Sequence, residues 1–157
     1  MTPEKALNLI AGQCSKKECC TADIRQKLLR WELPEEDIAR ILDYLLRHRF
    51  VDDDRFARIY AEDKFRFNRW GRQKIALMLR RKGIPSATVE AALAAIPGSS
   101  YADSCLDLLR QKLRSLSEPD PYKLRAKLPR FALSRGFDYD TVRECLEQLL
   151  AGDACDE

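Results

Sequence analysis

The sequence is poor in the residues from which enzyme active sites are usually built. Its 157 residues include one histidine and six glycines, with neither a glycine-rich phosphate loop nor a Gly-x-Ser-x-Gly elbow. One histidine leaves few arrangements for a general base, and scattered glycines do not form a phosphate-binding loop. We therefore expect that the protein is not an enzyme and uses no cofactor.

Metal-binding patterns are also scarce. The six cysteines contain no Cys-x-x-Cys pair, and His48 is the only histidine that could complete a zinc site. The run Asp52-Asp53-Asp54 lies where a helix is expected to begin, so capping of free amides explains it better than metal binding. We expect reduced, structural cysteines and no metal site.

Long apolar runs are missing as well. Runs such as Ala91 to Ile96 are far shorter than the roughly 20 residues of a membrane-spanning helix. The segment Met1 to Lys5 lacks the basic-then-apolar order of a signal peptide. With 45% hydrophobic and 34% charged residues, the sequence predicts a soluble, cytoplasmic protein that does not bind membranes.

The sequence does contain a repeated apolar spacing. Steps of 4, 5, 5, 4 and 3 residues occur three times, shifted by 51 and then 53 residues. Steps of 3 and 4 mark one face of a helix, and the two steps of 5 carry the pattern across a turn into a second helix. The three sets are Ile24, Leu28, Leu33, Ile38, Leu42, Leu45; Ile75, Leu79, Ile84, Val89, Leu93, Ile96; and Leu128, Ala132, Phe137, Val142, Leu146, Leu149.

This spacing predicts an all-α fold of three tandem three-helix repeats with helix-turn-helix-like pairs. The predicted repeats are 1–51, 52–98 and 99–152, followed by a tail at 153–157. Gly83 and Gly136 are expected to end helices in the left-handed conformation, where the first repeat has Glu32. Pro129 is expected to kink its helix or restart it at Leu128. The segment 97–100 is expected to separate the second and third repeats.

Positive charge is concentrated in two stretches. Between residues 64 and 82 there are eight cations and no acid, and a second cationic stretch follows between residues 110 and 135. A solvated surface is the ordinary explanation for such residues, but eight neighbouring like charges favour contact with an anionic partner. The candidate contact residues are Lys64, Arg66, Arg69, Arg72, Lys74 and Arg81, with Arg125, Lys127 and Arg130 as a second patch.

Aromatic residues accompany the first basic stretch. A core stripe is predicted at Phe56, Tyr60, Asp63 and Phe67, which places Phe65 on the opposite face of the helix, against a neighbouring repeat or a partner. Trp70 lies among arginines, which suits stacking on bases or docking on a protein. Covering the core is an equally good explanation for Trp70, which we include among the candidate contacts.

Sequence-specific DNA recognition is disfavoured despite the helix-turn-helix-like pairs. In such motifs the second helix enters the major groove and presents Arg, Asn or Gln to the bases. Here the second helices are neutral or acidic, as in 85–96 and at Glu35-Glu36-Asp37. The cations precede them, so non-specific phosphate contact stays open.

One segment is distinctive. Phe50-Val51-Asp52-Asp53-Asp54-Arg55-Phe56-Ala57 is followed by Asp63-Lys64-Phe65-Arg66-Phe67-Asn68-Arg69-Trp70-Gly71-Arg72, Lys74-Ile75, Leu79 and Lys82-Gly83-Ile84. This pattern closely resembles the RecX family, as does Arg135-Gly136-Phe137, and the resemblance spans essentially the whole chain. Glu32 in place of a glycine and the helical Pro129 depart from it.

The resemblance implies a cytoplasmic bacterial modulator of the RecA recombinase. Members consist of three tandem three-helix repeats in an elongated, curved array. They bind in the groove of the RecA–single-stranded DNA filament, contact adjacent protomers and lower ATP hydrolysis and strand exchange. We therefore expect the RecA filament and single-stranded DNA, bound without sequence preference, as partners, with duplex DNA a further expectation, and a monomeric state. The alternative is a non-specific nucleic-acid-binding module that acts without RecA.

Overall fold

The computed structural model describes the backbone of residues 1–155 and the side chains of residues 1–151. The described residues form nine helices and no strand, so the predicted all-α class is confirmed. The helices are α1 (Pro3–Lys16), α2 (Thr21–Arg30), α3 (Glu35–Arg47), α4 (Asp53–Arg66), α5 (Arg72–Arg81), α6 (Ser86–Ala94), α7 (Gly98–Ser115), α8 (Pro121–Ser134) and α9 (Tyr139–Cys155).

Local sequence signals begin several of these helices. The Thr2 side chain accepts a hydrogen bond from the Lys5 amide at 3.2 Å, and Pro3 follows as the first residue of α1. Asp120 and Pro121 have the same roles in α8. A side-chain acceptor followed by proline suits a helix start, since proline has no amide hydrogen to leave unsatisfied there. Pro34 is the cap of α3 and directly precedes its first helical residue.

The same turn ends the first helix of each predicted pair. Glu32, Gly83 and Gly136 have φ values of 60°, 75° and 94°. The next residue then donates its amide to a carbonyl five positions earlier, the arrangement that closes a helix through a left-handed residue. These bonds join Leu33 to Leu28 at 3.4 Å, Ile84 to Leu79 at 3.2 Å and Phe137 to Ala132 at 3.3 Å. The predicted left-handed glycines are confirmed, and Glu32 adopts the same conformation without being glycine.

The repeated apolar spacing corresponds to the buried residues. Sixteen of its eighteen positions are buried, and the other two, Leu93 and Leu146, are half-buried. Burial of each large aliphatic side chain contributes about 1.5–3 kcal/mol, so the spacing identifies the residues that hold the helices together.

The described chain divides into two compact units, each with its own interior. One comprises Met1–Tyr60 and Leu79–Ala92, and its core includes Ile10, Leu28 and Leu45. The other comprises Ala61–Met78 and the chain from Leu93 onward, where α7, α8 and α9 pack on one another. The three-repeat division stays a prediction from the spacing, and the predicted tail at 153–157 lies partly outside the described residues.

Three expectations differ from the structure. Asp63 and Phe67 are exposed, so the predicted core stripe of α4 is wrong at these two positions. The buried residues of α4 are Phe56, Ala57 and Ala61, because small alanine side chains let this face of the helix lie against the core. Helix α8 passes through Pro129 without restarting at Leu128, so the predicted restart is wrong, and the kink given as its alternative stays a prediction. The predicted break at 97–100 is shorter, since α7 already begins at Gly98.

Candidate partner-binding surface

The amino end of α5 is held by α7 and by the turn at 135–136. The Gly71 amide donates to the carbonyl of residue 135 at 2.8 Å, and the Gln73 amide donates to that of residue 136 at 3.0 Å. The Arg72 amide donates to the hydroxyl of Tyr101 at 3.1 Å. The first amides of a helix have no acceptor within the helix, so these contacts cap α5.

The Arg72 side chain joins the same contacts. Its guanidinium lies 4.0 Å from the centroid of the Tyr101 ring, and its Nη2 donates to the carbonyl of Ile96 at 3.1 Å. A guanidinium over an aromatic face is attracted by the π electrons of the ring. Arg72, one of the candidate contact residues, is therefore engaged within the protein.

Tyr101 is the buried centre of this arrangement. Its ring lies 5.0 Å from that of Phe137 and 6.1 Å from that of Phe65, so Phe65 packs on another helix, as one of its predicted roles required. The Tyr101 hydroxyl donates to Asp138 Oδ1 at 3.2 Å. Burial is the main reason that the pKa of Tyr101 is raised to about 12, so the phenol stays protonated and can donate.

Asp138 is fixed by a second set of donors. The amide and the hydroxyl of Thr141 donate to its Oδ2 at 3.1 and 2.8 Å. Burial alone would raise the pKa of the Asp138 carboxyl, but the hydrogen bonds from Thr141 and Tyr101 outweigh it and hold the pKa below its usual value. We call Gly71, Arg72, Tyr101, Gly136 and Asp138 the Tyr101 joint.

Two glycines allow the backbones of the joint to meet. A Cβ at Gly71 would collide with the backbone of Gly136, and a Cβ at Gly136 would collide with the Cβ of Lys74. Gly136 also has a positive φ, which disfavours any side chain. The joint thus depends on the absence of side chains at both positions.

Two lysines lie over the ring of Trp70. Lys64 Nζ is 4.9 Å and Lys74 Nζ is 4.6 Å from the ring centroid, and the half-buried Trp70 amide donates to the Lys64 carbonyl at 3.1 Å. Attraction to the ring holds both ammonium groups near each other despite their mutual repulsion. We call Lys64, Trp70 and Lys74 the Trp70 cluster. Base stacking and core covering both stay predictions for Trp70.

The other candidate cations of this stretch have varied surroundings. Arg66 pairs with Glu62 at 3.2 Å and lies over the exposed Phe67. Arg69 is half-buried in a left-handed conformation, with φ 55°, and its Nη1 is buried without a hydrogen-bond partner. Arg81 is exposed at the end of α5. The basic stretch is therefore partly neutralised by a nearby carboxylate.

Lys82, also within the basic stretch, pairs with a distant acid. Its Nζ lies 2.8 Å from Asp23 Oδ2, 59 residues earlier in the chain. The bond to Asp23 is the main cause that raises the pKa of Lys82. The sequence alone does not reveal this pairing.

The second candidate patch lies on α8. Lys127 pairs with Glu118 at 3.0 Å, whereas Arg125 and Arg130 are exposed and have no carboxylate partner among the described residues. Arg125 also lines a cavity of about 460 Å³ together with Arg143, Leu146, Glu147, Leu150 and Ala151. This patch combines charge with a concave surface that is lined by both apolar and charged side chains.

The three aspartates at 52–54 are used by helix ends and contacts. Asp52 accepts from the Arg55 amide at 3.1 Å, which confirms its predicted capping role. Asp53 accepts from the Thr21 amide at 2.9 Å and so caps α2, while Asp54 accepts from the Thr88 hydroxyl at 2.8 Å. The expected capping thus extends from one helix to two.

The described cysteines are free thiols. Cys20, Cys105 and Cys145 are buried, and Cys14 and Cys19 are half-buried. Burial raises the pKa of Cys20 to about 11, which keeps this thiol protonated at neutral pH. The side chain of Cys155 lies outside the described residues.

Among the residues that the structure describes, no helix has the length and apolar character required to cross a lipid bilayer.

The sequence does not indicate the roles of Tyr101 and Asp138. Neither residue belongs to the repeated spacing, and their contacts join residues that are 29 and 37 positions apart. The resemblance pointed to Gly136 as part of a turn but not to its contact with Gly71. The position of Gly71 and Gly136 beside helix ends was the one feature of the sequence that pointed to this contact.

Comparisons with known proteins match two segments of this chain to family models. Residues 52–93 match the second three-helix domain of RecX, and residues 100–146 match the third. A regulatory protein RecX of Prosthecochloris aestuarii is 32% identical over 93% of this chain and 94% of its own length. One from Clostridium botulinum strain Eklund 17B is 33% identical over 81% of this chain.

This chain spans about 60% of the length of the clostridial relatives that it matches. A crystal structure of RecX from Lactobacillus salivarius has a TM-score of 0.83 at 21% identity, covering 94% of this chain and 96% of that one. A second RecX crystal structure has a TM-score of 0.85 at 22% identity, covering 92% of this chain and 73% of that one. The structures share the fold, and the sequence relatives establish that this chain belongs to the RecX family.

Proposed function

We propose that this chain regulates the RecA recombinase, mainly as an inhibitor. It binds in the groove of the RecA–single-stranded DNA filament and lowers ATP hydrolysis and strand exchange. Membership of a family whose relatives are called regulatory proteins supports this role. The observation that carries it is the Trp70 cluster, which places two ammonium groups over one ring within the segment matched to the second RecX domain.

Electrostatics favours this cluster as an anion contact. Lys64 and Lys74 repel each other, and an anion between or beside them relieves that repulsion. No carboxylate of the described residues pairs with Lys74, so this ammonium group is not neutralised within the described chain. We propose as filament contacts Lys64, Arg66, Arg69, Trp70, Arg72, Lys74 and Arg81, with Arg125, Lys127 and Arg130 on α8.

Contacts with DNA in this proposal are made to phosphates and are independent of sequence. The helices that would read bases in a helix-turn-helix protein are neutral or acidic, as in α6 and at the start of α3. The cations precede them on α4 and α5. The partners proposed are the RecA filament and single-stranded DNA, with duplex DNA as a further partner.

The remaining parts of the proposal follow from the same role. A filament-binding regulator carries out no chemistry of its own, so we propose a protein without catalytic activity. It acts in the cytoplasm, where RecA filaments form, as a monomer in an elongated, curved shape of three repeats. Solution scattering tests the shape and the monomeric state together.

Direct binding separates a filament regulator from a nucleic-acid-binding module that acts alone. The chain is labelled at its amino terminus and titrated with bare single-stranded DNA or with the same DNA coated by RecA. The proposal predicts tighter binding to the coated DNA, because RecA adds protein contacts that bare DNA lacks. A module that binds DNA alone should instead bind the coated DNA more weakly, because coating leaves few phosphates exposed. Equal or weaker binding to the coated DNA would favour the independent module.

A further inference from the structure

Helix α8 has an exposed apolar stripe opposite its buried face. Tyr122 and Leu133 are 85% and 39% exposed, Ala126 is exposed and Pro129 is half-buried. Steps of 4, 3 and 4 residues place these four side chains on one line along the helix. We call Tyr122, Ala126, Pro129 and Leu133 the α8 stripe. At about 1.5 Å per residue, it extends over about 16 Å.

The stripe has cations on both sides. Turning 100° per residue, Lys123 and Arg130 fall on one side of the stripe and Arg125 falls on the other. All three are exposed and have no carboxylate partner among the described residues. The unneutralised charge makes an acidic partner favourable on both edges of the apolar line.

A concave surface continues the stripe on the Arg125 side. The cavity of about 460 Å³ that Arg125 borders has Leu146 and Leu150 in its lining, and both are half-buried. A large partner side chain can enter this space while the partner's helix lies along the stripe. A line of apolar contacts beside a pocket is typical of surfaces that accept an amphipathic helix.

We propose that the α8 stripe binds an amphipathic helix on a RecA protomer of the filament, with acidic residues flanking its apolar face. This inference rests on the proposed function and assigns the α8 patch to protein rather than to DNA. Only Tyr122 of the stripe has a ring on which a base can stack. Ala126, Pro129 and Leu133 would instead hold aliphatic surface against a charged phosphate backbone, which is unfavourable.

The distinguishing variants change the stripe and leave the cations in place. The double variant Tyr122→Ser/Leu133→Ser removes its two largest side chains. A matched control, Leu46→Ser/Tyr139→Ser, removes a leucine and a tyrosine that are 45% and 64% exposed outside the stripe. Circular dichroism verifies the helicity of both, and Ala126→Lys and Ala126→Glu provide single substitutions at the middle of the stripe.

Each variant is measured for sedimentation with RecA–single-stranded DNA filaments and for binding to a fluorescent thymidine oligonucleotide without RecA. We expect the stripe variant to bind filaments about tenfold more weakly, as loss of a central apolar contact does, and to keep its oligonucleotide affinity. Both Ala126 variants should weaken filament binding, because either charge enters the apolar contact. The control should behave as the unmodified chain.

Four results overturn the inference. Filament binding by the stripe variant equal to that of the unmodified chain removes this face from the contact. Loss of oligonucleotide affinity in parallel, or stronger filament binding by Ala126→Lys, assigns the face to nucleic acid. Failure of the unmodified chain to sediment with filaments contradicts the proposed function itself, and this inference with it.

Discussion

The hydroxyl of Tyr101 donates a 3.2 Å hydrogen bond to Asp138 and accepts a 3.1 Å bond from the Arg72 amide. One buried oxygen thus connects the starts of α5 and α9 through α7. A phenol that both donates and accepts is satisfied only when all three segments are in place, so the joint orders them together.

Replacing Tyr101 by phenylalanine tests this connection. The ring and its contacts with Phe137 remain, but the Arg72 amide and the Asp138 carboxylate each lose a partner. We expect a loss of about 1–3 kcal/mol in the free energy of unfolding, the usual cost of leaving a buried polar group unsatisfied. Urea denaturation measures it. Tyr139→Phe is the control, since Tyr139 is exposed; an equal loss in both variants would refute the role of the joint.

Gly136→Ala tests the close approach in the joint. The added Cβ would collide with Lys74 in a backbone conformation that alanine disfavours. We expect destabilisation above about 2 kcal/mol. Gly12→Ala is the matched control, because a Cβ there meets no atom within 4 Å in the middle of α1, and it should stabilise by about 0.5–1 kcal/mol. Equal thermal-melt midpoints for Gly136→Ala and the unmodified chain would show that position 136 has room for a side chain.

The Asp23–Lys82 pair predicts a pH dependence of stability. Burial would raise the pKa of Asp23, but the hydrogen bonds from Lys82 and Cys20 and the nearby lysine charges together outweigh burial and lower the pKa below its ordinary 3.8. The bond to Asp23 raises the pKa of Lys82 above 10.5. An acid whose pKa is lowered on folding stabilises the folded state above its unfolded pKa, and this stabilisation is lost as the pH falls through the folded pKa. A lysine whose pKa is raised on folding stabilises the folded state below its unfolded pKa of 10.5, and this stabilisation is lost as the pH rises through the folded pKa.

The pair therefore contributes between about pH 4 and pH 10. Its side chains are partly exposed, so Asp23→Asn should cost only about 0.2–1 kcal/mol at pH 7. We expect this difference from the unmodified chain to vanish near pH 2 in urea titrations. A difference that persists unchanged in acid would mean that the substitution disturbs packing rather than charge.

Charge reversal of Lys74 and Arg81 tests the proposed filament contact. The variant Lys74→Glu/Arg81→Glu should weaken inhibition of RecA and leave helicity unchanged. Its DNA affinity should depend less steeply on salt. The slope of the logarithm of the binding constant against the logarithm of the salt concentration should become shallower by about 0.7 for each lost contact with a single-strand phosphate. Lys5→Glu/Arg40→Glu makes the same change in net charge at exposed positions of the first predicted repeat. Inhibition that survives the Lys74 and Arg81 reversal would exclude these residues from the contact.

The repeated spacing predicts most of this fold because the residues that form it are the ones that the helices bury. Leu28, Leu79 and Ala132 each precede the same turn, and local rules of periodicity and left-handed caps are sufficient to identify it. The spacing does not predict the exposure of Phe67, since the small Ala57 and Ala61 define the buried face of α4. Aromatic size is a poor guide where close helix packing needs alanine.

The candidate surface was less predictable for a different reason. A count of cations along the chain treats Lys74, Arg72 and Lys82 alike. In the folded protein Lys74 lies over Trp70, Arg72 lies over Tyr101, and Lys82 pairs with Asp23. These differences arise from side-chain contacts made in the folded chain, two of them between residues distant in sequence, and periodicity carries no information about them.

The rate of ATP hydrolysis by RecA on single-stranded DNA shows whether this chain regulates RecA. The chain is titrated into preformed filaments at DNA concentrations that saturate RecA. We predict that hydrolysis falls at ratios well below one chain per RecA protomer, since a groove contact affects neighbouring protomers. Hydrolysis that falls only when the chain is abundant enough to saturate free DNA would contradict regulation through the filament groove.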